Sequence, residues 1–253
     1  MSFISRIKAK ILSRPFSRNI NSLRYEPLDL IYKLEDLNAG YYDKIKHLGD
    51  AELEHQIGRL TNFKKIIGEI SSQNLDSEIV EFGTWKGFSL LWIAYLFERL
   101  AIFNKKIIGI DGFVGLPYDD GVFKRGYFNN ASLKMTSRNI YANKNLYDLT
   151  KQNIVIKQAL YSQKELILSK IRSMKFSFIH VDCDVSRSVI EIFEILRGCL
   201  LADKCYILFD DYGCESNLKH EVDDFIKDSQ KIYKVTEHSN TKLTKNFKLE
   251  KIK

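Results

Sequence analysis

The feature that most limits what this chain can fold into begins after Asn74, where short β-rich runs alternate with longer stretches of helical spacing. Strands separated by helical patterns of roughly 10–15 residues mark a parallel sheet wound with helices. The runs are EIVEFG (Glu78 to Gly83), KIIGID (Lys106 to Asp111), NIVIKQ (Asn153 to Gln158), FSFIHVD (Phe176 to Asp182) and CYILFDD (Cys205 to Asp211). Amphipathic stretches run from Lys86 to Leu100, from the fourth run through Leu200, and around His220 to Asp228. The C-terminal KIYKVTEHSNTKLTKNFKLEKIK reads as two strands joined by a turn at Ser239-Asn240, an antiparallel pair at the sheet edge.

Before this α/β region, residues 1–72 read as a helical leader or cap, because LDLIYKLEDL and AELEHQIGRLTNFKKIIGEI carry apolar residues at three- and four-residue spacing. The core domain is then 73–253. Its segment 118–147, rich in Asn, Tyr and basic residues, is long for a plain connection and is expected to form a lid, part of it helical.

Basic residues interrupt the apolar ones at the N-terminus, so residues 1–20 do not form a signal peptide, and no stretch approaches the roughly 20 apolar residues of a membrane span. They read either as a solvated terminal helix or as a basic amphipathic helix touching an anionic membrane surface. Cys183, Cys199, Cys205 and Cys214 contain no CxxC pair, which speaks against a disulfide framework or a zinc cluster and for a reducing cytoplasm. A net charge of +7 could attract polyanions but specifies none, and no specific nucleic-acid partner is expected.

Chemistry concentrates at the ends of the runs. Glu81-Phe82-Gly83-Thr84-Trp85-Lys86-Gly87 sits between a strand and a helix, where glycines let backbone approach a ligand and a helix N-terminus favours an anionic group. The spacing is neither GxGxxG nor GxxxxGK[ST]. Asp111 closes the second strand, followed by Gly112, and is placed to bond a ribose diol. A glycine loop with a ribose acid suits an adenosine cofactor with a small charged tail, such as S-adenosylmethionine. Such loops also occur for packing reasons alone.

Asp182-Cys183-Asp184 and Asp210-Asp211 end the fourth and fifth runs. If those strands are neighbours, several carboxylates meet at one edge, and clustered anions repel unless protonated or joined by a cation. Oxygen ligands without a His/Cys set favour Mg2+, or Mn2+, over zinc. Capping of the following helices is the plainer role for each Asp. His180, alone in an apolar strand, reads as a hydrogen-bonded core residue, and His47, His55, His220 and His238 form no ligand spacing.

Together, IVEFGTWKG (Ile79 to Gly87), DGFVGLP (Asp111 to Pro117) and IHVDCDVSRS…ILFDDYG (Ile179 to Gly213) resemble the macrocin O-methyltransferase family; IGRLTNF (Ile57 to Phe63) resembles its segment before the first strand. The resemblance implies a Rossmann-like class I methyltransferase sheet of seven strands, the last pair antiparallel, and S-adenosylmethionine- and Mg-dependent methylation of sugar hydroxyls. It implies metal ligands Asp182, Asp210 and Asp211, and Asp184 as general base. Glu81, Gly83, Thr84, Gly87 and Asp111 would line the cofactor pocket, with Gly112, Gln158 and Asp182 at the same edge. The acceptor would be a sugar, glycoside or nucleotide-linked sugar, and the enzyme a homo-oligomer. Where relatives read Asp-Leu-Tyr-Glu-Ser, this chain reads Asp184-Val185-Ser186-Arg187-Ser188, and the usual Gly is missing around Gln158-Ala159-Leu160. A catechol-type O-methyltransferase and a non-catalytic glycan- or partner-binding subunit are the alternative readings.

Overall fold

Each β-rich run forms a strand of one seven-stranded sheet: β1 (Glu78–Phe82), β2 (Lys106–Asp111), β3 (Asn153–Gln158), β4 (Lys175–Val181), β5 (Leu200–Phe209), β6 (Tyr233–Glu237) and β7 (Lys245–Lys251). The structure is a computed structural model and describes residues 50–73, 77–213, 218–241 and 243–252. These belong to the compact unit running from Asp43 to Lys253. Residues 1–20, with their basic amphipathic pattern, lie outside the described residues, as does the leader up to residue 49.

Strand order is β3-β2-β1-β4-β5-β7-β6. The first five are parallel, and β7 runs antiparallel between β5 and β6. The chain winds outward from β1 through β2 to β3, then returns to lay β4 on the other side of β1. That reversal opens a crevice at the carboxyl ends of β1 and β4, where ligands of open α/β sheets bind.

Alternate residues of the central strands face opposite sides. Val80, Phe82, Ile179, Val181, Ile207 and Phe209 join the core formed with α4 (Lys164–Ile171), α5 (Ser186–Leu196) and α6 (Leu218–Ser229). Glu81, Phe178, His180 and Tyr206 face the other side, against α1 (Asp50–Ser72). Beside it lies α2 (Phe88–Arg99), apolar around most of its girth and buried from Ser89 to Phe97.

The sequence reading runs the fourth helix through Leu200, but α5 ends at Leu196 and β5 begins at Leu200. Leu200 and Leu201 pair with the foot of β4 before the register shifts, which lengthens β5 toward its N-terminus. The eight-residue α4 escapes the sequence reading because it is too short to show a period.

The expected lid divides in two. Residues 133–146 form α3, an ordinary flanking helix: Ser132 caps it by accepting from the Met135 N–H, and Thr136, Ile140 and Asn143 are buried. Only the stretch before it is loop. Among the described residues no helix is long and apolar enough to cross a membrane.

Read from the sequence as the end of a leader, α1 is instead packed into the core. Leu60, Phe63, Ile66, Ile67 and Ile70 are fully buried, and Phe63 meets Phe178 and His180 edge-on at 5.5 and 4.8 Å. Asn62 donates to Thr244 Oγ1 at 3.0 Å, and Tyr206 Oη donates to Glu69 Oε2 at 2.6 Å. Glu69 also pairs with His238.

Phe63→Ala is expected to cost about 3–5 kcal/mol, the range for a buried Phe truncation; an unchanged urea midpoint would show that α1 does not belong to the cooperative core. Burial opposes ionisation of Glu69, but its bonds with Tyr206 and His238 outweigh this and hold the carboxyl below its ordinary 4.5. A depressed acid stabilises above its unfolded-state value and stops doing so as pH falls through the native one. The stability gap between wild type and Glu69→Gln should therefore stand at neutral pH and close in acid; a gap as large at about pH 3 as at pH 7 would exclude the carboxylate as its source.

Candidate active site

Strand register assembles the site. Val181 pairs with Phe209, and the Asp210 N–H donates to the Val181 carbonyl at 3.0 Å, so the residues following β4 and β5 lie side by side. The Asp182 N–H donates to the Phe82 carbonyl at 2.8 Å and the Gly83 N–H to the Ile110 carbonyl at 3.0 Å, bringing the ends of β1 and β2 into the same row. The glycine loop, Asp111 and the aspartates thus share one edge.

Two glycines are required by geometry. Gly83 has φ 93°, and a Cβ there would stand 1.5 Å from the Asp182 carbonyl oxygen, well inside contact. Gly87, at φ 82°, begins α2, and its Cβ would meet Ile140 and Thr136 of α3. Thr84 is buried between them, and the Gly87 N–H closes the turn onto its carbonyl at 2.7 Å.

Asp111 does not simply await a diol. One oxygen accepts from the Trp85 N–H at 2.8 Å and the other from the Phe113 N–H at 2.6 Å, clamping the loops after β1 and β2 together. A carboxylate offers about four acceptor positions, so capacity for a hydroxyl pair remains. Gln158 donates to the Gly112 carbonyl at 3.2 Å, which brings these two residues together beside Asp111.

Glu81 points to the other face of the sheet. It is buried, its Oε2 lies 2.9 Å from His180 Nδ1, and its Oε1 has no hydrogen bond. His180 is a hydrogen-bonded core histidine, as its strand context leads one to expect, but its Nε2 also lies 4.0 Å from Asp210 Oδ1.

The aspartates fall into two roles. Carboxylates of Asp182, Asp184 and Asp211, all half-buried, lie with oxygens within 4.8 Å of one another. Asp210 is buried and turns toward α1, where its Oδ2 accepts from Arg59 Nη1 at 3.0 Å and lies 3.0 Å from His55 Nε2. Arg59 Nη1 also donates to Asp182 Oδ2 at 2.9 Å. The expected trio of Asp182, Asp210 and Asp211 is therefore brought together: one guanidinium nitrogen spans Asp182 and Asp210, and Asp210 and Asp211 also offer ligand atoms within 4.8 Å of each other and of His55.

His55 and Arg59 are the residues that sequence reasoning missed. Their spacing alone was visible in the sequence: they are four apart and in line with Phe63, and the structure shows that this face is the buried one. A basic pair on the buried face of a helix implies acids beneath it.

Burial and the Asp210 charge push Asp182 up to about 7. Burial and the Asp182 charge push Asp184 up to about 8, and burial with the Asp184 charge raises Asp211 well above the usual carboxylate range. Burial opposes the charge on Asp210 too, but Arg59, His180 and His55 hold it well below that range. The half-buried trio is therefore biased toward binding protons or a cation, and its hard oxygen donors fit a magnesium-class ion.

Asp184 sits at the apex of a three-residue turn, closed by the Val185 N–H donating to the Cys183 carbonyl at 2.7 Å, with φ 61°. Left-handed backbone at a non-glycine residue costs on the order of 1–3 kcal/mol and collects at functional sites. α5 begins directly after this turn, and Asp120 supplies the cap that Val185 cannot, accepting from the Ser186 N–H at 2.7 Å. The loop is held there by Tyr118 Oη donating to Glu191 Oε1 at 2.7 Å and by Arg187 stacked on the Tyr118 ring at 4.4 Å. Trp85 Nε1 donates to Asn130 Oδ1 at 2.9 Å.

A family model described as macrocin-O-methyltransferase (TylF) matches residues 55–241, well over half of the chain. The chain belongs to the macrocin-O-methyltransferase family. By that membership it is an O-methyltransferase. The stretch that the TylF model matches begins at His55, inside α1. Among solved structures, the O-methyltransferase NovP is similar at TM-score 0.59 and 16% identity, over 78% of this chain and 81% of that one. The calicheamicin methyltransferase CalS11 is similar at TM-score 0.61 and 14% identity, over 96% and 89%. An O-methyltransferase from Bacillus cereus in complex with SAH gives TM-score 0.51 and 13% identity, over 99% and 97%. At these identities the likeness establishes the shared fold. No curated protein matches the chain in sequence.

Gly83→Ala cannot be accommodated without moving the Asp182 backbone. The variant is expected to melt well below wild type; a melting temperature within a degree or two of wild type would mean that the loop takes a different path.

Proposed function

We propose that this member of the family transfers the methyl group of S-adenosylmethionine to a hydroxyl of a sugar, assisted by Mg2+ or Mn2+. The observation that carries this reading is the meeting of the Gly83–Gly87 turn and the Asp182/Asp184/Asp211 carboxylates at one sheet edge, beside the β1/β4 reversal. The SAH complex of the Bacillus cereus structure supports the donor. The CalS11 structure described as a TDP-rhamnose 3'-O-methyltransferase, similar at TM-score 0.55 and 14% identity over 87% of this chain and 91% of that one, supports a sugar acceptor.

S-adenosylmethionine supplies a methyl group on a positively charged sulfur. Gly83 and Gly87 let the loop pack against the Asp182 backbone and α3 in its tight path at the sheet edge, and Asp111, clamped by two N–H groups, keeps acceptor capacity for the ribose hydroxyls. Gly112 and Gln158 close the same end, with Thr84 beneath the loop. The orphaned Oε1 of Glu81, on the face toward α1 and two residues before Gly83, is an unsatisfied acceptor that would suit the ammonium of an amino-acid tail.

A divalent ion would be held by Asp182 and Asp211 with Asp184 or Asp210 completing the set, and would supply charge that orients vicinal oxygens and eases loss of a hydroxyl proton. Asp184 is the group we assign to receive that proton. Its turn presents the carboxyl at the edge, and its raised affinity for a proton suits a base working near neutral pH. Positioning of the acceptor against the methyl group supplies most of the remaining rate.

Titration of S-adenosylhomocysteine by calorimetry tests the donor. Binding at about micromolar strength, roughly −8 kcal/mol, is expected, and no heat together with no thermal stabilisation would refute it. A screen of sugars, glycosides and nucleotide sugars against catechols tests the acceptor, with methylation of catechols alone as the refuting outcome. Protons compete with the ion for Asp182 and Asp184, raised to about 7 and 8. Mn2+ affinity should therefore rise between about pH 6 and pH 8; an affinity flat across that range would remove these carboxylates from the ion's ligands.

A further inference from the structure

The cluster already contains a cation of its own. Arg59, buried on α1, places Nη1 2.9 Å from Asp182 Oδ2 and 3.0 Å from Asp210 Oδ2, so one guanidinium nitrogen bridges the carboxylates that follow two adjacent strands. His55, one helical turn earlier, approaches the same Asp210 oxygen at 3.0 Å. The other oxygen of Asp210, a residue only 3% exposed, has no hydrogen bond. Asp182, Asp210 and His180 nevertheless offer ligand atoms within 4.8 Å of one another, overlapping through Asp182 with the Asp182/Asp184/Asp211 group. His180 Nε2 faces Asp210 Oδ1 at 4.0 Å, so the bridge from Arg59 to Asp182 is the contact that a divalent ion at the carboxylates would have to replace.

We propose that Arg59 is a built-in counter-cation that competes with the divalent ion for Asp182 and thereby sets how tightly the site holds it. The inference rests on the metal-assisted reading above and adds a residue to it. Asp182 cannot give Oδ2 fully to the guanidinium and to a metal at once, and a fixed positive charge beside the ligands repels a second one in a poorly solvated site. Binding of the ion therefore draws Asp182 away from Arg59 while Asp210 stays paired with it. In the ion-free protein the same guanidinium offsets repulsion that would otherwise spread the strand ends apart.

The test is Mn2+ titration of the full-length protein, with free ion read by electron paramagnetic resonance, for wild type, Arg59→Gln and Arg59→Lys. Gln removes the charge but keeps a donor, and Lys keeps the charge. The expected result is binding at least tenfold tighter for Arg59→Gln than for wild type, with Arg59→Lys close to wild type. Equal or weaker binding by Arg59→Gln, with wild type binding normally, overturns the role of Arg59 and leaves the metal reading intact. Absence of binding by wild type and both variants overturns both.

Should Arg59→Gln not fold, the wild-type protein gives an independent answer. In spectra of protein labelled with 15N-arginine, the guanidinium signal missing from Arg59→Lys identifies Arg59. Saturating Mg2+ should shift or broaden that signal, and an unmoved signal overturns the proposal.

Discussion

Putting several carboxylates at one edge of a parallel sheet creates a repulsion that the rest of this structure answers. Parallel register fixes where the chain leaves β4 and β5, so Asp182 and Asp210 are neighbours before any side-chain preference operates. The response comes from outside the sheet: α1 lays Arg59 and His55 over the pair, and the apolar residues of the same helix secure it against Phe178 and His180. Docking of the helix and neutralisation of the acids are one interaction, because a buried guanidinium without carboxylates and buried carboxylates without a cation are each untenable.

The result is a site with two electrostatic halves. Toward α1, Arg59, His180 and His55 hold the Asp210 carboxyl well below the usual carboxylate range, and Arg59 and His55 both meet one of its oxygens. Toward the open edge, Asp182, Asp184 and Asp211 have raised proton affinities, and Asp182 shares Arg59 with Asp210. One half is held by its partners and the other is set to respond to pH, because its carboxylates have raised proton affinities.

Much of this was legible in the sequence because it depends on local pattern. Run lengths and flanking helices mark the strands, and the acid or glycine closing four of the five runs marks the candidate edge, since chain direction alone decides which end of a parallel strand faces it. What the pattern could not carry was depth. The helical period of α1 shows an amphipathic helix but not that its polar residues at 55 and 59 lie on the buried side, because that depends on acids more than 120 residues away in sequence. The same limit applies to Asp111, whose clamp on Trp85 and Phe113 exists only once two loops meet. It applies to Glu81 as well, whose side of the sheet follows from strand alternation and whose partner comes from β4. Segment 118–147 reads as one polar stretch, yet Thr136, Ile140 and Asn143 give its second half a face to bury.

Asp120 belongs to the loop, but the backbone group it bonds is the first N–H of the helix that follows the Asp184 turn. Releasing the loop from α5 strips that N–H of its acceptor, at a cost on the order of 1 kcal/mol for a lost cap. The strained turn would then be anchored to a fraying helix end. Loop release and loosening of the Asp184 turn are therefore thermodynamically linked: whatever keeps Asp120 in place also stiffens the strained residue two positions before the helix.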